Sequence, residues 1–355
     1  MSNKKFIILS GGIIGLLAAL LVRFGNPVNM GICMACFFRD VAGGLGLHRA
    51  EVVQNLRPEI VGFVLGGFLL ASFKGELKPR AGSNPLLRFI LGMFMAIGAL
   101  VFLGCPWRMI LRLSGGDLTA ISGLIGYIAG IYVGVIFLKQ GFSLGRAHNE
   151  INKGSVYLIP LIFLGIIVLR LAQPEFIFLS ESGPGSMFAP VGLALGAGLI
   201  VGGLAQRSRI CTAGAFRDMI LIRDNHLLNG VFMIFLVALI GNIVLGQFQL
   251  GFADQPVAHN EILWNFLGMV IVGITAVMLG GCPLRQTILA SEGDLDAGLT
   301  VLGLIVGAAF SHNFGLAASP AGVGFNGRVA TIAILAIVLI IGAANVYQNK
   351  KALTS

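Results

Sequence analysis

Apolar residues are grouped along this chain into ten long stretches that hold few charges. A helix needs about 20 apolar residues to cross the hydrocarbon core of a bilayer, and most of the stretches approach that length. We therefore predict an all-α polytopic integral membrane protein with ten transmembrane helices. Their approximate bounds are 6–23, 58–73, 87–104, 117–138, 155–172, 187–205, 228–248, 261–281, 294–314 and 329–347.

Four shorter amphipathic pieces lie between the long stretches, and each begins at or just after a cysteine. At roughly ten residues, such a piece is too short to cross about 30 Å of hydrocarbon. We expect short broken or re-entrant helices that return to the side from which they came. The pieces are 33–47, 106–114, 212–222 and 283–291.

The order long, short, long, long, short, long occurs twice, over 6–138 and again over 187–314. Five membrane-crossing helices precede the second copy, four in the first copy and one in the connector, and five is an odd number. The second copy should then enter the membrane from the opposite side, which predicts inverted repeats. The predicted parts are a first repeat over 1–138, a connector with one helix over 139–186, a second repeat over 187–315, and a C-terminal helix and tail over 316–355.

Two cysteine motifs recur in the two copies. The segment ICMACFFRD at 32–40 returns as ICTAGAFRD at 210–218, and GCPWR at 104–108 returns as GCPLR at 281–285. Gly-Asp-Leu follows the second motif in both copies, at 116–118 and 293–295. The offsets of 178 residues (33 to 211) and 177 residues (105 to 282) indicate a duplicated unit, which is a common plan for transporters and channels.

Composition supports a membrane protein. The 355 residues are 56% hydrophobic and 11% charged, with a mean hydropathy of +0.92, whereas a soluble domain carries about twice that charge. Lys and Arg in cytoplasmic loops explain the net charge of +9 better than nucleic-acid binding does. With the N-terminus inside, the cytoplasmic segments hold about twice as many Lys and Arg residues as the other side, which favours cytoplasmic termini. The first apolar run lacks a convincing cleavage site and should be a retained helix.

The segment Gly104-Cys105-Pro106 is typical of a helix break at membrane depth. Glycine permits an unusual backbone angle, and proline suits the first turn of a helix. The short helix then directs its N-terminus, with free N–H groups and a positive dipole, at the break. Cys105 and its equivalent Cys282 should lie at such termini, where an anion is favoured.

Cys33 and Cys211 form a second matched pair, whereas Cys36 has Gly214 in its place and its role is uncertain. The Cys33-x-x-Cys36 spacing suits a redox motif, but no βαβ pattern accompanies it and it offers too few ligands for zinc. A cysteine can also serve only as a small packing residue. Their recurrence at equivalent breaks favours function over packing. The predicted substrate pathway consists of Cys33, Cys105, Cys211 and Cys282.

Arginines follow the motif cysteines in both copies. They either line anion-attracting vestibules on the two sides of the membrane or anchor the short helices at the interface. Adjacent helical residues do not face one another, so the Arg-Asp neighbours at 39–40 and 217–218 need not be internal ion pairs. Asp117 and Asp294 should cap helices or stand in their first turns. The candidate vestibule residues are Arg39, Arg217, Arg108 and Arg285.

The remaining polar residues suggest no second site. His312 is expected to be interfacial, and the other histidines form no metal-ligand cluster. Small-residue spacings such as Gly126-x-x-x-Gly130 and Gly192-x-x-x-Gly196 predict close helix packing. No Walker A motif, dinucleotide fingerprint or Ser-His-Asp set occurs, so we expect no enzyme, no cofactor and no metal.

With the paired cysteine motifs, GCPxR and the Gly-Asp-Leu that follows, the chain resembles the YeeE/YedE family of sulfur-compound transporters over nearly its full length. The segment NPVNMGIC at 26–33 is similar to the YedE branch, which is associated with selenium transport. The resemblance implies an hourglass-shaped protein of the bacterial inner membrane, with inverted repeats and cysteines at its narrowest part. Those cysteines would pass the anion along by S–H···S hydrogen bonds. This role carries over to Cys33, Cys105 and Cys282, and Cys211 joins them because its motif repeats that of Cys33.

The expected function is therefore passage of a small sulfur- or selenium-containing anion, such as thiosulfate or a selenium oxyanion, across the lipid bilayer. The alternative is a membrane-embedded thiol or persulfide relay that hands sulfur or selenium to a cytoplasmic partner protein. A third interpretation is a small-solute channel in which the cysteines only pack the core.

Overall fold

The computed structural model describes residues 3–149 and 153–354. Its α-helices, in chain order, are α1 Asn3–Arg23, α2 Met34–Gly44, α3 Pro58–Phe73, α4 Pro85–Val101, α5 Pro106–Ser114, α6 Ala120–Lys139, α7 Leu158–Ala172, α8 Gly183–Ser186, α9 Val191–Ser208, α10 Thr212–Ile222, α11 His226–Val244, α12 Ile262–Leu279, α13 Pro283–Ser291, α14 Leu295–Asn313 and α15 Phe325–Thr354. Two short 3₁₀ helices span Glu51–Val53 and Lys153–Tyr157. The strands β1 Arg80–Ala81 and β2 His148–Asn149 pair in antiparallel fashion.

The long apolar stretches form the membrane-spanning helices. Within the described residues, ten helical stretches are long and apolar enough to cross a membrane. The protein is therefore an all-α, multi-pass membrane protein, as predicted. The short pieces also form helices: α5, α10 and α13 have the predicted bounds, and α2 is a few residues shorter than expected.

Helices from the two halves of the chain pack against each other in matched pairs. Helix α1 packs on α11 and α3 on α9, while α4 packs on α14 and α6 on α12. By their order around the cysteine motifs, α1 corresponds to α9 and α3 to α11, so the α1–α11 pair maps onto the α9–α3 pair. In the same way α4 corresponds to α12 and α6 to α14, so the α4–α14 pair maps onto the α12–α6 pair. Such an exchange of partners is the packing expected of two units related by a two-fold axis.

Glycines allow several of these pairs to approach closely. In the α6–α12 pair, a Cβ added to Gly126 would lie 2.2 Å from the carbonyl oxygen of Phe266, and Gly130 is equally close to Val270 O. The predicted packing role of this glycine spacing is confirmed. For Gly192 and Gly196 the prediction was wrong, because an added Cβ would meet no described atom within 4 Å.

Hydrogen bonds between loops divide the connections into two groups, one at each end of the bundle. At one end, β1 of the α3–α4 loop pairs with β2 of the α6–α7 loop, and Lys78 N donates to Glu292 O over 3.0 Å. At the other end, Phe178 N donates to Gly44 O and Asn313 Nδ2 to Leu47 O, each over 2.9 Å. This grouping agrees with the predicted topology, in which the short helices return to the side from which they came.

Candidate functional site

Each of the four motif cysteines is the N-cap of one of the short helices. Cys33 precedes α2, Cys105 precedes α5, Cys211 precedes α10 and Cys282 precedes α13. All four are buried, and the most exposed, Cys211, is only 4% accessible. Because a helix carries partial positive charge at its N-terminus, each of these thiols lies at a positive helix end. The predicted position of Cys105 and Cys282 is confirmed, and Cys33 and Cys211 share it.

The four thiols differ in whether they accept a capping hydrogen bond from their helices. Cys33 Sγ accepts a hydrogen bond from Cys36 N (3.3 Å), and Cys211 Sγ accepts one from Gly214 N (3.4 Å). These two sulfurs satisfy a free N–H of the first turn. Cys33 Sγ also donates to Cys36 Sγ over 2.7 Å. Helices α5 and α13 begin with proline, and the thiols before them make no capping bond.

The thiols meet in two pairs, one from each half of the chain. In the first half, the side chains of Cys33 and Cys105 contact each other. In the second, the Cys282 and Cys211 thiols are in contact, and Cys282 N donates to Cys211 Sγ over 3.3 Å. The structure thus brings the predicted pathway cysteines together as two adjacent thiol pairs.

Two aromatic residues of the first repeat join the two thiol pairs. Trp107, the second residue of α5, lies beside the Cys282 thiol. Tyr127 of α6 places its hydroxyl 3.1 Å from Thr212 Oγ1, directly after Cys211. Neither aromatic was singled out from the sequence. A usable signal was present for Trp107, because it is the position at which GCPWR and GCPLR differ.

Cys36 extends the first thiol pair. Its Sγ lies 2.7 Å from Cys33 Sγ and 3.7 Å from Nη1 of Arg108. Gly214 stands at the equivalent place in the second repeat, so that half has no such extension.

The backbone break before α5 differs in detail from the prediction. The positive φ falls on Leu103 (61°) and on its equivalent Gly280 (83°), not on the motif glycines Gly104 and Gly281. The motif glycine is required for a different reason. A Cβ on Gly104 would lie 2.8 Å from Cδ of the Arg108 side chain, which folds back over the break.

The Arg-Asp neighbours do form ion pairs, which helix geometry alone does not require. Arg39 approaches Asp40 Oδ1 to 2.6 Å and Arg217 approaches Asp218 Oδ1 to 2.8 Å. A long arginine side chain can fold back along the helix, and this removes the geometric objection. In the first repeat, Asp40 also binds Nε of Arg57 at 2.6 Å, and all three side chains are buried.

Arg108 and Arg285 occupy equivalent positions with different partners. Arg108 is fully buried and binds backbone carbonyl oxygens, those of Leu103 and, at 3.2 Å, Val257. Arg285 instead pairs with Glu292 at 3.3 Å. Burial raises the pKa of the Glu292 carboxyl, while the adjacent Arg285 guanidinium acts in the opposite direction.

A cavity lies near each motif of the Arg-Asp type. One, of about 270 Å³, is lined by Arg39 and by His312, whose ring stacks on His48 at 4.6 Å. The other, of about 500 Å³, is lined by Arg209 and Asp218. Arg209, which sequence reasoning passed over, precedes Cys211 by two residues and has a left-handed backbone with φ of 54°. Of the four arginines predicted to line a vestibule, Arg39 lines one of these two cavities.

The two Gly-Asp-Leu aspartates serve structural contacts. Asp294 is the N-cap of α14, accepts from Ala297 N (2.9 Å) and pairs with Arg80. Asp117 instead binds Arg112 at 2.6 Å and accepts from Thr119 N, and Thr119 is the N-cap of α6. The capping prediction is therefore confirmed for Asp294. Nowhere in the described part of the chain do three His, Cys, Asp or Glu residues form a metal-binding group.

Comparison with known proteins adds to this geometry. Residues 207–350 match the model of a family described as sulphur transport. The thiosulfate transporter TsuA of Spirochaeta thermophila is 31% identical over 105 residues, which are 30% of this chain and 31% of that protein. TsuA of Escherichia coli is 27% identical over 120 residues, 34% of each chain. The chain thus spans about a third of the length of the curated relatives it matches. The second half of the chain is thus similar to this sulphur-transport family, and its first half carries the same cysteine motifs as the matched part.

Proposed function

We propose that this protein is a membrane transporter or channel, not an enzyme, that passes a small thiosulfate-like anion along a path lined by its four motif cysteines. The observation that carries the proposal is the contact of the thiols in two adjacent pairs, each at the N-terminus of a short helix. The anion would move from Cys33 and Cys105 to Cys282 and Cys211, or in reverse.

The chemistry of this arrangement suits rapid passage of a soft anion. A neutral thiol is a weak, polarizable hydrogen-bond donor, and a helix N-terminus contributes only a fraction of a charge. A guanidinium at the narrowest point would hold an anion more strongly and slow its release. Conduction requires several sites that each bind weakly, and four thiols in series meet this requirement.

The proposal includes two candidates for the transported anion. Both relatives named above are thiosulfate transporters, which favours thiosulfate or a close sulfur analogue. A selenium oxyanion is the second candidate, because the segment at 26–33 resembles the selenium-transport branch. Selenite competition against thiosulfate uptake distinguishes the two.

The predicted membrane topology is also part of the proposal. We infer inverted repeats in the bacterial inner membrane, with both termini and the loop carrying β1 in the cytoplasm and Arg39 facing the opposite vestibule. The support is the exchange of helix partners between the two halves and the excess of Lys and Arg in one set of loops. A pH-sensitive fluorescent protein fused to the C-terminus tests this orientation in intact cells.

The relay alternative is less well supported. A thiol that hands sulfur or selenium to a soluble protein must be reachable from the cytoplasm, and all five cysteines are buried. A trapped persulfide on Cys211 or Cys282 in the presence of a cytoplasmic sulfur donor would reverse this preference.

Uptake into proteoliposomes tests the proposal directly. We expect labelled thiosulfate to enter vesicles containing the wild type and expect uptake to fall by about tenfold or more in Cys105→Ala and in Cys282→Ala. Ser10→Ala is the matched control, because Ser10 is equally buried and its hydroxyl donates to Phe6 O of its own helix. Undiminished uptake in both cysteine variants would show that the thiols serve only to pack the core.

A further inference from the structure

The indole of Trp107 occupies a position between the two thiol pairs. Trp107 stands two residues after Cys105 and is only 1% exposed, so it belongs to the first pair by chain and is buried in the core. Its side chain nevertheless lies beside Cys282, which belongs to the second pair. An ion that moves from one pair to the other must therefore pass this ring.

The N–H group of this indole makes no hydrogen bond of ordinary geometry. Nε1 of Trp107 is buried and has no well-aligned acceptor within the described residues, and the group it lies beside is the Cys282 sulfur. A buried tryptophan normally bonds its N–H, because an unsatisfied buried donor is destabilising. A buried donor beside a thiol, which is only a weak acceptor, is suited to a transient ligand with a stronger oxygen acceptor.

The second repeat has no equivalent donor. Its motif reads GCPLR, so Leu284 stands where the first repeat has Trp107. The aromatic hydroxyl of Tyr127, which has Leu304 at the equivalent position, is already bonded to Thr212. The indole N–H is thus an uncharged donor that the first repeat has and the second lacks, in a proposed path whose thiols are duplicated.

We propose that Trp107 is a specificity-determining residue of the path, whose indole N–H binds an oxygen atom of the anion while the thiols bind its sulfur. This inference rests on the proposed function. It assigns the substrate class as a tetrahedral oxyanion with one soft, sulfur-type terminus. A soft atom suits a polarizable thiol, whereas a hard oxygen prefers an N–H donor, so one ion satisfies both kinds of group.

Fluorescence provides a readout that a merely space-filling role would not change. The chain has two tryptophans, so Trp264→Phe leaves Trp107 as the sole indole emitter. We expect thiosulfate to shift or quench this emission with a saturable dependence and expect sulfate, which lacks the soft atom, to do so far more weakly. The emission of Trp264 in Trp107→Phe is the control and should not respond to either anion.

Uptake completes the test. Trp107→Phe keeps an aromatic ring but removes the N–H, and we expect it to lower thiosulfate uptake by about tenfold or more, because a hydrogen bond to a charged group is lost. Normal uptake in Trp107→Phe overturns the inference, and so does lost uptake with a Trp107 emission that thiosulfate leaves unchanged, since that result indicates packing alone. A wild type that binds thiosulfate at Trp107 but does not transport it overturns the proposed function and leaves the binding site standing.

Discussion

The two Arg-Asp motifs of the repeats provide a matched pair of ion-pair variants. In the first repeat, Asp40 is fully buried and accepts from both Arg39 and Arg57 at 2.6 Å. In the second, Asp218 pairs with Arg217 at 2.8 Å, and their side chains are 20% and 29% exposed. The same substitution, aspartate to asparagine, therefore removes one charge from a buried cluster in one variant and from a partly exposed pair in the other.

We expect Asp40→Asn to lower the free energy of unfolding by about 3–5 kcal/mol, because it leaves two buried guanidinium groups without a countercharge. We expect Asp218→Asn to lower it by about 0–1 kcal/mol, because water screens the exposed pair and solvates the arginine that remains. The difference between the two variants should then be at least about 2 kcal/mol.

Unfolding in mixed detergent micelles, titrated with dodecyl sulfate and followed by tryptophan fluorescence, measures both values under one set of conditions. The double variant is the internal check, since sites in separate clusters should give additive losses. Equal losses for Asp40→Asn and Asp218→Asn would refute the reasoning from burial, whatever their absolute size.

Three further predictions concern packing, capping and pH. Gly130→Val should lower the unfolding midpoint, because its Cβ would meet Val270 O at 2.2 Å, whereas Gly192→Val, with no described atom within 4 Å, should leave it nearly unchanged. Asp294→Ala should cost about 1–2 kcal/mol through the lost cap of α14, and Asp294→Asn, which can still cap, should cost less. Burial lowers the pKa of His259, so stability should be fully present above its unfolded pKa of about 6.5 and fall as the pH drops below it. Melting curves at pH 7.5 and 5.5 should show this loss, and His259→Gln should reduce it.

Much of the fold was predictable because the bilayer imposes a simple rule on the sequence. A spanning helix must be long and apolar, so the composition of each stretch reports its role. The short helices were predictable for a second reason. Proline at the first helical position fixes the start of α5 and α13, and the recurrence of the motifs fixes that of α10. Helix α2, which lacks such a proline, is the one whose bounds were misjudged.

The contacts inside the bundle were less predictable, because they depend on which face of a helix meets a neighbour. The spacings Gly126-x-x-x-Gly130 and Gly192-x-x-x-Gly196 are identical as patterns, yet only the first lies against another helix. Arg57 reaches Asp40 from a loop 17 residues away, and no local rule joins them. The left-handed backbone angle lies on Leu103, one residue before the motif glycine, although glycine is the residue that adopts such an angle without strain.

The two repeats share their motif thiols but differ in the charged residues around them. The thiols at the N-termini of α2, α5, α10 and α13 are duplicated, as the proposed path through both halves requires. The charged surroundings are not duplicated: Arg285 has Glu292 as a partner, whereas Arg108 has Gly115 at the equivalent place and binds only carbonyl oxygens and Cys36. Within the described residues, Arg108 thus has no carboxylate partner beside the first thiol pair, whereas Arg285 has one near the second. Thiols that are the same in both halves favour neither end of the proposed path for anion binding, whereas the unpaired guanidinium of Arg108 favours the first pair.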